Sequence, residues 1–171
     1  MPTLAQLLKL VQQSPNMLLN IELKGPRSEE FKPRYDFDLA CKIVAEHIDR
    51  FGVSNRTMVS SFEPLITNKI KLTPNRQFKV VQLMNRGLKD EVNYTTPEGM
   101  QGINLSLTNL KQEVIKPVQA KGHTVGIWYS TSVYPVENEE TYKLVFGQSG
   151  NVVDLFYSDK PLEAMKSRDL I

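Results

Sequence analysis

The feature that most constrains this chain is a repeat: six short runs rich in Val, Ile, Leu and Phe, all but the third followed by a stretch that reads as a helix. The runs centre near residues 21, 59, 81, 104, 126 and 155. Strands alternating with helices pair in parallel, because the helix carries the chain back across the sheet before the next strand begins. An α/β fold follows.

The individual elements read as follows. Thr3 with Gln6 three residues on is a capping box, and Leu4, Leu7, Leu8 and Val11 continue it as a short amphipathic helix. In MLLNIELKG, Leu19, Ile21 and Leu23 alternate with Asn20, Glu22 and Lys24, the period of a strand, closed by Gly25-Pro26. DFDLACKIVAEHIDRFG predicts a helix with Leu39, Ile43, Ile48 and Phe51 on its apolar side and Gly52 as its stop. RTMVSSF is a strand, and EPLITNKIKL a helix with Pro64 in the first turn, where no backbone donor is needed. FKVVQLM, residues 78–84, is a third strand, and the glycines and proline of NRGLKDEVNYTTPEGMQ predict mostly loop. GINLS is a strand, and TNLKQEVIKPVQAKG a helix kinked near Pro117 and stopped at Gly122. HTVGIWY is a strand whose internal Gly126 signals close packing. Residues 137–146 form a helix, VVDLFYSD the last strand and PLEAMKSR the closing helix.

Two architectures fit this order. A doubly wound open sheet, covered on both faces, calls for nearly continuous apolar strands. Strand 18–24 instead carries polar residues toward its C-terminal end, where barrels of eight strand-helix units place their chemistry. The reading is therefore a (β/α)8 TIM-type barrel. Such barrels need about 250 residues, and this chain has 171. About six of eight units are present, the first two being expected before Met1, and residues 1–171 are read as one domain. The charges nearly cancel, 21 basic against 19 acidic, and no block of like charge suggests a nucleic-acid arm. The lone Cys41 excludes an internal disulfide and is expected to be a small buried residue, permitting a reducing compartment. No apolar run reaches the length of a membrane span, so a soluble protein, with the cytoplasm favoured, is expected.

Glu22 and Lys24, two apart on one strand, share a face. A carboxylate there is suited to a hard cation and an ammonium to a phosphate oxygen; an ion pair that only neutralises the strand end fits the spacing equally. Both histidines, His47 within a surface helix and His123 at a strand's beginning, sit away from the catalytic end, and Ser60-Ser61 lack the glycine-flanked turn of a serine nucleophile. Phe62, Trp128 and Tyr129 end two strands and can form an apolar wall or ordinary core. Asp159 is either a second carboxylate of the site or a cap of the closing helix.

Five segments in order, PTLAQLL, LLNIELKGP, VSSFEP, KGHTVGIWY and VVDLFYSDKP, resemble the glycerophosphodiester phosphodiesterase family over nearly the whole chain. The resemblance implies a metal-dependent barrel that hydrolyses a glycerophosphodiester to glycerol 3-phosphate and an alcohol in phospholipid metabolism. It assigns Glu22 as a ligand of a divalent cation, Ca2+ or Mg2+, Lys24 as a phosphate contact, and Phe62 and Trp128 as lining for the glycerol or alcohol. Ser158 stands where the family has threonine before the aspartate, and Tyr129 where threonine or serine is usual. The family's His-Arg-Gly strand, Glu-x-Asp hairpin and second histidine have no counterpart in this sequence, so no acid-base catalytic residue is assigned and the chain alone is expected to be inactive. A missing N-terminal segment or a second chain is the expected barrel-completing partner. A non-catalytic binding or barrel-completing module, and a phospholipase-like phosphodiesterase, are the alternatives.

Overall fold

The computed structural model describes residues 2–26, 28–84, 98–129, 137–147 and 153–169. The chain divides into two compact units, Met1–Gln82 and Leu83–Ile171. In each, the strands run parallel and bond to the next strand along the chain. Among the described residues six strands alternate with helices, except between β3 and β4, where residues 85–97 are not described; this is the element order of a TIM-type barrel with part of its eight units.

In the first unit the order is α1 (Leu4–Gln13), β1 (Leu19–Glu22), α2 (Phe37–Arg50), β2 (Thr57–Ser61), α3 (Pro64–Ile70) and β3 (Lys79–Leu83), whose last residue opens the second unit. The capping box forms as expected: the Gln6 N–H donates to Thr3 Oγ1 at 3.3 Å and the Thr3 N–H to Gln6 Oε1 at 2.8 Å. Leu8 and Val11 are the residues α1 buries completely. Past the helix's other end, where the Ser14 N–H donates to the Val11 carbonyl and the Met17 N–H to the Ser14 carbonyl, Arg56 reinforces the turn. Its Nη1 donates to the carbonyls of Val11, Ser14 and Met17 at 3.0, 2.6 and 3.3 Å, which fastens the turn leading into β1.

α2 corrects the sequence reading. Its buried residues are Phe37, Cys41, Val44, Ala45 and Ile48, while Leu39 and Ile43 are 51% and 42% exposed. The Asp36 carboxylate accepts the Leu39 N–H at 2.8 Å, so the helix starts at Phe37, and the stripe running from Phe37 turns Leu39 and Ile43 outward. Gly52, at φ +64°, stops the helix as expected. Cys41 is buried, and burial first, then Asp38, pushes its thiol pKa up. Leu19 pairs with Thr57 through to Glu22 with Ser60, and Met58 with Lys79 through to Ser61 with Gln82.

The second unit holds β4 (Gly102–Ser106), α4 (Gln112–Gln119), β5 (Thr124–Trp128), α5 (Glu139–Phe146), β6 (Leu155–Tyr157) and α6 (Pro161–Asp169). Asn104, Gly126 and Leu155 lie side by side across its three strands, as do Ser106, Trp128 and Tyr157. Ile103, Leu105, Val125 and Ile127 point the other way, into a core completed by Val114, Ile115 and Val118 of α4 and Val145 of α5. Gly126 is required by space: a Cβ there would lie 2.1 Å from Asn104 Oδ1 and 2.8 Å from its Cγ. Residues 85–97 of the predicted loop and residue 152 of the predicted last strand lie outside the described residues.

Candidate functional site

In the first unit Glu22 is the last residue of β1 and Lys24 follows on the same face, with Lys24 Nζ 3.4 Å from Glu22 Oε1. The Lys24 side chain is 77% exposed and that of Glu22 33%. Their backbone is held from three sides. The Leu23 N–H donates to the Ser60 carbonyl at 2.9 Å, Ser61 Oγ to the Leu23 carbonyl at 2.6 Å, and the Tyr35 hydroxyl to the Lys24 carbonyl at 3.1 Å. A carboxylate and an ammonium on a fixed backbone next to solvent can meet a charged ligand without reordering the chain. Asn20 Oδ1, on the same face, and Ser60 Oγ, on the residue paired with Glu22, are both buried without a hydrogen-bond partner.

Ca2+ and Mg2+ take six or more oxygen ligands. Among the described residues no three of His, Cys, Asp or Glu converge, and Glu22 alone does not make such a site. Ser61 Oγ is committed to the Leu23 carbonyl and accepts the Glu63 N–H at 3.0 Å, a structural use rather than a nucleophile's. His47 Nδ1 lies 2.8 Å from the Ile43 carbonyl within α2, and His123 Nδ1 is buried just before β5. Phe62 is half-buried between the end of β2 and Glu63, whose side chain caps α3.

In the second unit Trp128 ends β5, half-buried, and its Nε1 donates to the Met84 carbonyl at 3.3 Å. Asn104 Nδ2 donates to the Tyr157 hydroxyl at 2.8 Å. Trp128, Tyr129, Phe156, Tyr157 and Asp159 line a cavity of about 660 Å3. Beside it Glu137, only 4% exposed, takes the Ser158 hydroxyl on one oxygen and the Asp159 N–H, at 2.8 Å, on the other. Lys160 Nζ adds a bond to the Glu137 carbonyl at 3.3 Å. Glu137 thus holds the segment entering α6. Of the two roles expected for Asp159, the cap is not seen: its carboxylate accepts no hydrogen bond among the described residues. Burial raises the Tyr129 pKa, with the Glu137 and Asp159 carboxylates adding to the shift. Tyr142, 2% exposed, is pushed up to about 12 by burial first and Glu137 second.

Sequence comparison finds no matching protein-family model and no matching curated protein. Comparison of folds finds close matches. A glycerophosphodiester phosphodiesterase from Parabacteroides distasonis superposes with a TM-score of 0.72 at 22% identity, over 99% of this chain and 64% of that one. This is the fold of the glycerophosphodiester phosphodiesterases. The Agrobacterium tumefaciens enzyme of that name matches with a TM-score of 0.67 at 15% identity, over 98% of this chain and 62% of its own. An Oleispira antarctica phosphodiesterase, solved with the product sn-glycerol-3-phosphate, gives 0.66 at 17% identity, over 98% and 61%. The chain therefore spans less than two thirds of the length of these phosphodiesterases. Of the residues singled out by sequence, the structure joins Glu22 with Lys24 and places Phe62 in the same unit, while Trp128, Tyr129 and Asp159 share the cavity of the second. Glu137 went unnoticed in the sequence, because nothing local marks a glutamate whose partners lie about twenty residues on.

Proposed function

We propose that this chain is part of a metal-dependent glycerophosphodiester phosphodiesterase of phospholipid metabolism, in which water cleaves a phosphorus–oxygen bond to give glycerol 3-phosphate and a free alcohol. The observation that carries the reading is the Glu22–Lys24 pair, 3.4 Å apart at the end of β1, in a chain with this fold. Lys24 is the phosphate contact: its exposed ammonium holds a phosphate oxygen as a point charge and offsets the charge of the diester. Phe62, in the first unit, and Trp128, in the second, are each assigned to contact with the glycerol or alcohol. Glu22 is one ligand of a divalent cation, Ca2+ or Mg2+, whose remaining ligands the described residues do not provide. Residues 1–171 form one barrel domain, completed by a further segment or a second chain.

Titration of the purified chain with glycerol 3-phosphate, without added metal, tests this. Lys24→Ala weakens binding by about threefold to tenfold, and Glu22→Gln strengthens it by a similar factor, because the carboxylate beside the ammonium repels the phosphate. Equal affinities for all three proteins would remove Lys24 from the phosphate. Hydrolysis of glycerophosphocholine by the chain alone stays at the level of the Glu22→Gln variant, and turnover clearly above that control would sink the reading of an incomplete site.

A further inference from the structure

A buried polar chain crosses the first unit and ends beside the Glu22–Lys24 pair. The Thr67 hydroxyl of α3 donates to Gln82 Oε1 of β3 at 2.6 Å, Gln82 Nε2 donates to the Ser61 carbonyl at the end of β2 at 2.9 Å, and Ser61 Oγ donates to the Leu23 carbonyl at 2.6 Å. Thr67 and Ser61 are fully buried, and Gln82 is 6% exposed. Apolar residues of the same shape would serve stability about as well as such bonds. What a fully bonded buried network adds is a single fixed geometry, and the group fixed at the end of this one is the carbonyl between Glu22 and Lys24. The following loop is tied to the same place: Ser61 Oγ accepts the Glu63 N–H at 3.0 Å, and Glu63 Oε2 lies 3.6 Å from Lys32 Nζ. Gly25 lies against that glutamate, where a Cβ would sit 3.4 Å from Glu63 Cβ and Cγ.

We propose that Ser61 and Gln82 are positioning residues for the phosphate contact, holding the main chain at Leu23 so that Lys24 meets its ligand from a backbone already in place. Neither side chain reaches the ligand. A lysine loses rotamer freedom when it binds, and a loose backbone beneath it would have to be ordered at the same moment, at a further cost in affinity. The inference rests on the phosphodiesterase reading for the identity of the ligand. All the groups involved lie within the first unit.

Titration of the full chain with glycerol 3-phosphate, in a cycle of variants, tests this. Ser61→Ala, and Gln82→Met, which keeps the length of the side chain and removes its bonds, each weaken binding by about threefold where Lys24 is present. Neither has a further effect in the Lys24→Ala background. A mere loss of folded protein would lower binding by the same factor in both backgrounds, and urea unfolding of each variant gives the folded fraction directly. The Leu23 N–H, bonded to the Ser60 carbonyl at 2.9 Å, exchanges about threefold faster or more in Ser61→Ala, while the Val59 amide keeps its rate. Unchanged exchange at Leu23, or equal losses of binding with and without Lys24, overturns the proposal. Native affinity in both Ser61→Ala and Gln82→Met, with weakened binding in Lys24→Ala, overturns it too and leaves the phosphodiesterase reading standing. Native affinity in Lys24→Ala removes the phosphate contact, and the positioning role with it.

Discussion

Replacing Gly126 by alanine would test the packing on which the second unit depends. The added Cβ would sit 2.1 Å from Asn104 Oδ1 and 2.8 Å from its Cγ, both well inside contact distance, and 3.4 Å from the Leu155 Cβ, which is tolerable. Asn104 is fully buried and tied to the Tyr157 hydroxyl at 2.8 Å, so it cannot swing aside without losing that bond. Overpacking of a filled core costs about 1–3 kcal/mol, and a buried polar pair forced apart costs about 1–3 kcal/mol more. Urea unfolding should thus place Gly126→Ala about 2–6 kcal/mol below the native chain, with an unchanged m-value. Asn104→Ala alone should cost about 1 kcal/mol, through the loss of its bond to the Tyr157 hydroxyl. Since the clash is with the Asn104 side chain itself, the double variant should be about 2 kcal/mol more stable than the sum of the single effects. Strict additivity would refute the reasoning, because it would show that Gly126 is needed for something other than room for Asn104.

Three further outcomes follow from the same geometry. The Tyr142 pKa, raised from 10.0 to about 12 in the folded chain, adds stability that is complete below pH 10 and lost as pH rises toward 12; Tyr142→Phe should flatten that alkaline fall, which is on the order of 2 kcal/mol, in denaturation curves taken across the range. Arg56→Ala, which removes three hydrogen bonds to carbonyls of the segment joining α1 to β1, should cost about 2 kcal/mol in urea, and Arg56→Lys should recover part of it; no loss for either would mean that water serves those carbonyls equally well. Glu137→Gln should speed amide hydrogen exchange at Asp159 and the start of α6 by about tenfold or more while leaving β4 unaffected, and unchanged exchange at Asp159 would count against the clamp.

Much of this architecture is legible in the sequence because its signals are local. The Thr3–Gln6 box, the proline opening α3, the glycine closing α2 and the period-two face of β1 each act within a few residues. The tight fit at Gly126 was legible too, since a glycine inside an apolar strand has few other uses. The face of α2 was misjudged because Leu39 and Ile43 suit a core by composition, whereas the Asp36 cap decides where the helix starts and hence which way it turns. The Glu137 clamp and the Asn104–Tyr157 bond were not legible, since both join groups far apart in the chain whose meeting depends on strand register. For the site, the pairing of Glu22 with Lys24 follows from strand geometry, but what that pair meets is settled by chemistry beyond two side chains.

The strand order has a consequence for how the chain comes to be folded. Within each unit every strand bonds to the one made just before it, and no strand there waits for a distant segment before it can dock. Closing short loops costs less entropy than closing long ones. A polypeptide emerging from the ribosome could then bury each strand as its helix follows, growing from the amino end, so that synthesis and assembly proceed in the same direction. A pause after β2 would leave its neighbour β1 already paired, whereas a pause inside α2 would leave β1 without its partner.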